Sequence, residues 1–144
     1  MSLYLDTSCL LKVFFDERET GRTIELISAE SEVVVSSLAR LEALVQVQAR
    51  VAGRMLTAAA GARLSERIET VLRDEPYSLV AMPGAACEAA ERQIRSFGRT
   101  VHCRTLDRLH LGIMEVLGVR RLLTNDETQA RAARALRFSV RMPR

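Results

Sequence analysis

The sequence is poor in several residue types, and each shortage narrows what the protein can do. It has no Trp, and aromatic residues make up only 4% of its 144 residues, so stacking platforms for single-stranded nucleic acid are scarce. Its cysteines (Cys9, Cys87 and Cys103) lie far apart and form no CxxC pair, which argues against a zinc site and favours reduced thiols. Neither a signal-peptide pattern nor an apolar run of about 18 residues is present. A cytoplasmic protein is therefore expected.

Charge is unevenly distributed along the chain, although the net charge is only +3. Residues 1–98 carry 11 Lys and Arg against 14 Asp and Glu, whereas residues 99–144 carry 10 against 4. A basic C-terminal third could attract phosphate backbones. However, every basic residue except Lys12 is an arginine, so a bias in base composition explains the excess equally well. Charge alone leaves nucleic-acid binding open.

Apolar segments of strand length alternate with helical segments throughout the chain, and hydrophobic residues make up 48% of it. Strands are predicted over residues 3–6, 32–36, 77–82, 121–124 and 138–142. Helices are predicted between them, over about residues 8–15, 19–29, 37–51, 54–73, 84–97, 105–117 and 126–136. This alternation indicates βαβ units. We therefore expect a single α/β domain over residues 1–144, with about five mainly parallel strands and helices on both faces.

Two aspartates stand where predicted strands end. Asp6 closes the first strand, and Asp126 follows the fourth strand two residues after Thr124. Ligands of parallel sheets bind beyond the carboxyl ends of the strands, so both acids are candidates for a site there. Each also has an ordinary structural interpretation, because Asp commonly caps the free N–H groups of a following helix.

Two more acids lie on predicted helices. Glu42 has apolar neighbours at positions 38, 41, 44 and 45, and taken alone it is typical of a solvated charge at the edge of an amphipathic helix. Asp107 lies on a helix that is apolar around much of its circumference, and it shares a face with Leu111 and Met114. A carboxylate that points into protein is costly unless it is paired, hydrogen-bonded or bound to metal.

Phosphoryl transfer is the chemistry that needs several carboxylates together. Mg²⁺ and Mn²⁺ prefer hard oxygen ligands, and such a metal activates water and stabilises charge on a phosphate. Other chemistries lack their motifs, because there is no GxSxG, catalytic-Cys, Walker or GxGxxG pattern. His102 and His110 have no catalytic context, and a structural role is favoured for each.

Taken together, four segments resemble the PIN-domain nucleases, and within them the VapC-like toxins of toxin–antitoxin pairs. The resemblance covers essentially the whole chain and is most specific in the third segment. The segments are residues 4–8 (YLDTS), residues 36–38 (SSL) leading to Glu42, residues 104–111 (RTLDRLHL) and residues 122–126 (LLTND). Two departures stand out: Leu136-Arg137-Phe138 replaces a common glycine before the last strand, and Glu127 adjoins Asp126, so either acid could face a metal.

The resemblance implies a site, an activity and partners. Asp6, Glu42, Asp107 and Asp126 would bind Mg²⁺ or Mn²⁺, and Thr124 would hydrogen-bond a carboxylate or water beside them. A metal-activated water would then cleave RNA, leaving a 5′-phosphate and a 3′-hydroxyl. The family also forms homodimers and is inhibited by a cognate antitoxin, through which the complex commonly contacts promoter DNA.

Two rival interpretations come from other functional classes. A receiver-like or dehalogenase-like phosphotransfer domain also has an Asp after its first strand, but it needs a late Lys, and the only Lys is Lys12. A non-catalytic module could instead use the acidic groove to hold a basic peptide. If RNA is the substrate, four arginines are candidate phosphate contacts, although a solvated face is as good an account of each: Arg99, Arg104, Arg108 and Arg120.

Overall fold

The computed structural model describes residues 1–97 and 101–144, and it places a central sheet between two layers of helices. The strands are β1 (Leu3–Leu5), β2 (Val33–Ser36), β3 (Tyr77–Val80), β4 (Arg121–Leu123) and β5 (Ser139–Arg141). The helices are α1 (Thr7–Phe14), α2 (Thr20–Ser28), α3 (Ser37–Ala52), α4 (Ala58–Val71), α5 (Ala86–Phe97), α6 (Thr105–Leu117) and α7 (Glu127–Ala135).

All five strands are parallel, in the order β3-β2-β1-β4-β5. Strand β1 is central: Leu3 pairs with Val33 of β2 on one side and with Arg121 of β4 on the other. The residues that follow β1, β2 and β4 therefore emerge at one edge of the sheet. The predicted α/β fold, with a five-stranded parallel sheet flanked by helices on both faces, is confirmed.

Side chains of the central strands alternate between two buried cores. Leu3 and Leu5 pack with residues of α1 to α4 on one face of the sheet, whereas Tyr4 packs with residues of α5, α6 and α7 on the other. Near-continuous apolar strands such as these are expected where a parallel sheet is covered on both faces. Packing on both faces thus fixes the position of the sheet's carboxyl edge.

An ion pair at the opposite edge connects β4 to the loop before β2. Arg121, the first residue of β4, donates two hydrogen bonds to the carboxylate of Glu30, at 2.8 and 2.6 Å. Both side chains are mostly buried, and the hydrogen bonds lower the pKa of Glu30. The geometry is bidentate, which is the strong form of a charge-assisted pair.

Helices α5 and α6 approach each other closely at Gly112. A Cβ built on this glycine would lie 2.4 Å from the carbonyl oxygen of Ala86 and 3.0 Å from the backbone nitrogen of Ala90. Gly118 then ends α6 with φ of 70°, a left-handed conformation that glycine adopts without strain. The predicted bounds of α6 are confirmed.

The start of α4 differs from the prediction, which placed it near residue 54. Helix α3 ends at Ala52 with Gly53 as its C-cap, and Arg54 has a left-handed φ of 59°, so the helical path stops there. The helix resumes only after Thr57, whose hydroxyl accepts a hydrogen bond from the backbone N–H of Ala60. Within the part of the chain described here, no helix is long and apolar enough to cross a membrane.

Candidate active site

A cavity of about 550 Å³ opens at the carboxyl edge of the sheet, and all four predicted acids line it. The acids are Asp6, Glu42, Asp107 and Asp126, and they come from four distant parts of the sequence. The remaining lining residues are Thr7, Ser8, Leu11, Gln46, Arg104, Thr105, Leu106 and His110. The structure therefore brings together the acids that the sequence singled out.

Asp6 lies at the base of this cavity, immediately after β1, and it is only 5% exposed. Its Oδ1 accepts hydrogen bonds from the Ser8 hydroxyl (2.7 Å) and from the backbone N–H of Cys9 (3.2 Å), which makes it the N-cap of α1. Burial raises the pKa of Asp6, although these bonds and one from Thr124 oppose the shift. Asp6 thus combines the capping role with a position in the cavity.

Thr124 connects the first and last acids. Its hydroxyl donates to Oδ2 of Asp6 at 2.5 Å and accepts from the backbone N–H of Asp126 at 3.1 Å. Its side chain is fully buried directly after β4. Ser8 reinforces this link, because its hydroxyl accepts from the backbone N–H of Asn125 at 2.9 Å. Ser8 belongs to the segment of residues 4–8 (YLDTS), but no local pattern signalled its contact 117 residues away.

Asp126 caps α7 and also faces the cavity. Its Oδ1 accepts hydrogen bonds from the backbone N–H groups of Thr128 (2.8 Å) and Gln129 (3.0 Å), while its Oδ2 lies 3.5 Å from the guanidinium of Arg104. The adjacent Glu127 is exposed and pairs with Arg144 instead. Of the two acids that the sequence left open, Asp126 is therefore the one that lines the cavity.

Asp107 lies in the first turn of α6, and its side chain is 14% exposed. Its Oδ2 accepts a hydrogen bond from Nε of Arg104 at 3.2 Å. The same guanidinium reaches Asp126, while the Arg104 side chain itself is 78% exposed. Asp107 holds the pKa of Arg104 above its ordinary value. One exposed cation thus bridges two acids from separate helices.

Glu42 is fixed by a chain of hydrogen bonds that begins in the sheet. The Tyr4 hydroxyl lies 2.9 Å from the hydroxyl of Ser36 and 2.7 Å from Nδ1 of His110. The other ring nitrogen of His110, Nε2, lies 2.5 Å from Oε1 of Glu42. Thr7 donates to the same oxygen at 2.8 Å. Glu42 is thereby held in the cavity rather than left as a solvated charge.

The charge on Glu42 follows from the same contacts. Burial alone would raise the pKa of Glu42, but the hydrogen bond and the charge of His110, with the Thr7 hydroxyl, outweigh burial and lower it. His110 is 2% exposed and stacks edge-on against the ring of Tyr4. Its expected structural role is thus combined with a contact to a site acid. No local pattern signalled the contact with Glu42; the sequence shows only that His110 lies three residues after Asp107, on the same helix face.

Of the four arginines considered as phosphate contacts, the structure places Arg104 in the cavity. Arg108 is buried and donates to the backbone carbonyl of Val101. The guanidinium of Arg120 lies 4.5 Å from the ring centre of Phe138. Arg108 and Arg120 are therefore engaged within the protein, and Arg99 lies outside the described residues.

The donor chemistry of the cavity suits Mg²⁺ or Mn²⁺, since carboxylate and hydroxyl oxygens are the ligands these ions prefer. Asp107 and Asp126 already approach a common cation, the guanidinium of Arg104. Among the residues the structure describes, no three His, Cys, Asp or Glu side chains are close enough together to hold one ion directly. The residues thus fit an ion that keeps part of its water shell, as Mg²⁺ usually does.

Comparison with known proteins agrees with this architecture. The PIN domain family model matches residues 3–135, and the chain belongs to the PIN domain family. No curated protein shows significant sequence similarity to it.

Solved structures with the same fold include several toxin–antitoxin proteins. VapC20 of Mycobacterium tuberculosis, described as a sarcin–ricin loop cleaving toxin, has a TM-score of 0.70 at 14% identity, over 90% of this chain and 94% of that one. A chain of FitAcB from Neisseria gonorrhoeae has a TM-score of 0.74 at 18% identity, over 98% and 97%. A chain of VapBC2 from Rickettsia felis, bound to a promoter DNA fragment, has a TM-score of 0.73 at 11% identity, over 99% and 98%. At these identities the similarity establishes the fold.

Proposed function

We propose that this protein is a Mg²⁺- or Mn²⁺-dependent endoribonuclease and the toxin of a toxin–antitoxin pair. The observation that carries the proposal is the convergence of Asp6, Glu42, Asp107 and Asp126 on one cavity at the carboxyl edge of the sheet. Membership of the PIN domain family supports it, as does the fold shared with a toxin described as cleaving the sarcin–ricin loop. Residues 1–144 would form one nuclease domain.

In this proposal the four acids would hold the metal, in part through its bound water, and Thr124 would keep the Asp6 carboxylate in place. When bound, the metal would lower the pKa of a coordinated water and stabilise charge on the scissile phosphate. Thr124 and Ser8 fix the two oxygens of Asp6. Both His110 and Thr7 bind Oε1 of Glu42, so Oε2 would be the oxygen free to face the metal or its water.

The contacts of Arg104 support an inhibitory partner. They show that Asp107 and Asp126 accept a guanidinium, so a basic segment of an antitoxin could occupy the same acids. Solved VapBC and FitAcB complexes share this fold. A cognate antitoxin, a homodimeric assembly, a cytoplasmic location and indirect contact with promoter DNA all remain part of the proposal.

The test is cleavage of a mixed RNA substrate by the purified, antitoxin-free chain in Mg²⁺ or Mn²⁺, with a parallel reaction in EDTA. The site variants are Asp6→Asn and Asp107→Asn. Asn can still cap a helix, so Asp6→Asn is expected to stay folded, which circular dichroism would check. Asp74→Asn is the matched control, because Asp74 is exposed and lies after α4.

The proposal expects cleavage in the wild type and in the control, and none in EDTA or in the folded site variants. Cleavage that survives in EDTA or in both site variants would overturn the metal mechanism. Absence of both cleavage and divalent-ion binding in the wild type would favour the second candidate, a non-catalytic module whose acidic groove holds a basic peptide. The contacts of Arg104 with two of the acids are the observation that supports this second candidate.

A further inference from the structure

A second cavity of about 550 Å³ lies apart from the acidic one and is dominated by arginine. We call it the arginine cavity; its lining residues are Arg18, Glu19, Arg22, Pro143 and Arg144. They come from the loop after α1, from the first turn of α2 and from the C-terminal residues that follow β5. The cavity joins segments more than a hundred residues apart, so no local sequence pattern indicated it.

The one acid in this cavity is already paired with a cation of the protein itself. Glu19 accepts a hydrogen bond from Nζ of Lys12 at 3.0 Å, and the same ammonium binds Glu17 at 2.6 Å. The Lys12 side chain is 7% exposed. These bonds lower the pKa of Glu19. Three arginines face this single acid, so the lining of the cavity carries a net positive charge.

The three guanidinium groups are exposed, and another anion can replace the acids that pair with them. Arg22 pairs with Glu25 at 2.7 Å and Arg144 pairs with Glu127 at 2.5 Å, with about half or more of each side chain in solvent. Exposed pairs of this kind contribute little, so a stronger anion can replace them. In the described part of the chain, no ion pair involves Arg18.

The arginine cavity is also close to the candidate active site. Arg144 lines it and binds Glu127, the first residue of α7. Asp126, the preceding residue, lines the acidic cavity. Adjacent residues at the start of α7 therefore connect the two cavities, and we infer that a single extended strand of nucleic acid could contact both.

We propose that the arginine cavity binds a backbone phosphate of the RNA at a position removed from the cleaved bond. Guanidinium groups bind phosphate bidentately and remain charged at all relevant pH values. Without metal, the four acids of the acidic cavity repel an RNA strand, and Arg104 is paired with two of them. Cations outside that cavity would therefore add affinity for the backbone. This inference rests on the proposed function, because it takes RNA as the substrate.

The first experiment measures RNA binding alone. A fluorescent single-stranded RNA long enough to reach both cavities is titrated in EDTA with the wild type and with Arg18→Ala/Arg22→Ala. The control is Arg63→Ala/Arg73→Ala, which removes the same charge from exposed positions on and after α4. The proposal expects about a tenfold loss of affinity in the first variant, and a salt dependence shallower by about 0.7 to 1.4 in log–log slope, as for one or two lost phosphates.

The control is expected to lose about twofold or less, since its arginines contact no phosphate. Equal losses in the two double variants would mean that only net charge matters, and would overturn the site. Full retention of RNA affinity in Arg18→Ala/Arg22→Ala would also overturn the site. An acidic protein segment would then be the next ligand to test for the arginine cavity.

A second experiment separates this inference from the proposed function. Bis(p-nitrophenyl) phosphate is a phosphodiester too small to reach the arginine cavity, and its metal-dependent hydrolysis is expected to be equal in the wild type and in Arg18→Ala/Arg22→Ala. A parallel loss of this hydrolysis would overturn the separate binding role. If the wild type cleaves neither RNA nor the diester, the proposed function fails, while the EDTA titration still decides whether the arginine cavity binds RNA.

Discussion

Replacing Arg104 with glutamine is expected to tighten divalent-metal binding at the acidic cavity. The Arg104 guanidinium contacts Asp107 at 3.2 Å and Asp126 at 3.5 Å, and the interaction with Asp107 keeps the pKa of Arg104 high. In the metal-free protein the two acids are therefore paired with a cation of the chain itself. A metal must displace that cation before it can bind both carboxylates directly.

The size of the effect follows from the exposure of the Arg104 side chain, which is 78%. Exposed ion pairs are each worth about 0.2–1 kcal/mol, so two of them oppose the metal by about 0.4–2 kcal/mol. Since about 1.4 kcal/mol corresponds to a factor of ten, Arg104→Gln should lower the Kd for Mn²⁺ by roughly 2- to 30-fold.

Isothermal titration calorimetry with Mn²⁺ measures this directly, without relying on activity. Arg92→Gln is the matched control, because Arg92 forms an exposed pair with Glu115 at 3.0 Å, outside the acidic cavity. The control should bind Mn²⁺ as the wild type does. Unchanged or weaker Mn²⁺ binding in Arg104→Gln would refute the reasoning, because Arg104 would then support the ligands rather than compete for them.

Three further predictions concern stability. Thr124→Val removes a 2.5 Å hydrogen bond to buried Asp6 and should lower the free energy of unfolding in urea by about 1–3 kcal/mol. Thr124→Ser keeps the hydroxyl and should be close to wild type. Equal losses of stability in the two variants would mean that the methyl group of Thr124 matters instead. Gly112→Ala would bring a methyl carbon to 2.4 Å from a backbone oxygen and should lower the free energy of unfolding by about 1–3 kcal/mol. Unchanged stability would mean that α5 can shift to make room for the methyl group. Glu30→Gln should destabilise the protein at neutral pH, because the pKa of Glu30 is lowered in the folded state. A carboxyl group with a lowered pKa stabilises the fold above its ordinary pKa, and this stability is lost as pH falls through the pKa of the folded state. The difference in unfolding free energy between Glu30→Gln and wild type should therefore disappear in acid. A difference independent of pH would exclude this linkage to Arg121.

Sequence patterns predicted the elements whose limits are set locally. Helix α6 ends where Gly118 supplies a left-handed residue, and such a signal can be read directly from the sequence. The start of α4 was misplaced because the left-handed conformation of Arg54 has no such signal. Whether a non-glycine residue adopts that conformation depends on the surrounding contacts.

The candidate active site likewise contains some residues that the sequence predicted and some contacts that it did not. Asp6 and Asp126 were predicted from their positions after strands, and the structure places both in the cavity. The contact of His110 with Tyr4 and Glu42 was not predicted, because it joins a strand and two helices that meet only in the folded chain. The arginine cavity was missed for the same reason, because it brings Arg18 and Arg22 together with Arg144 at the other end of the sequence.

The double role of the two strand-end aspartates bears on how this protein would change if the proposed activity were lost. Asp6 and Asp126 each cap a helix, and losing a cap costs about 0.5–2 kcal/mol. Glu42 and Asp107 cap no helix. In a silenced descendant, substitutions should therefore accumulate first at positions 42 and 107, while Asp or Asn persists at 6 and 126 for the sake of folding. An intact pair of strand-end aspartates is thus a poor sign that a related sequence is still active, and the two helical acids are the better guide.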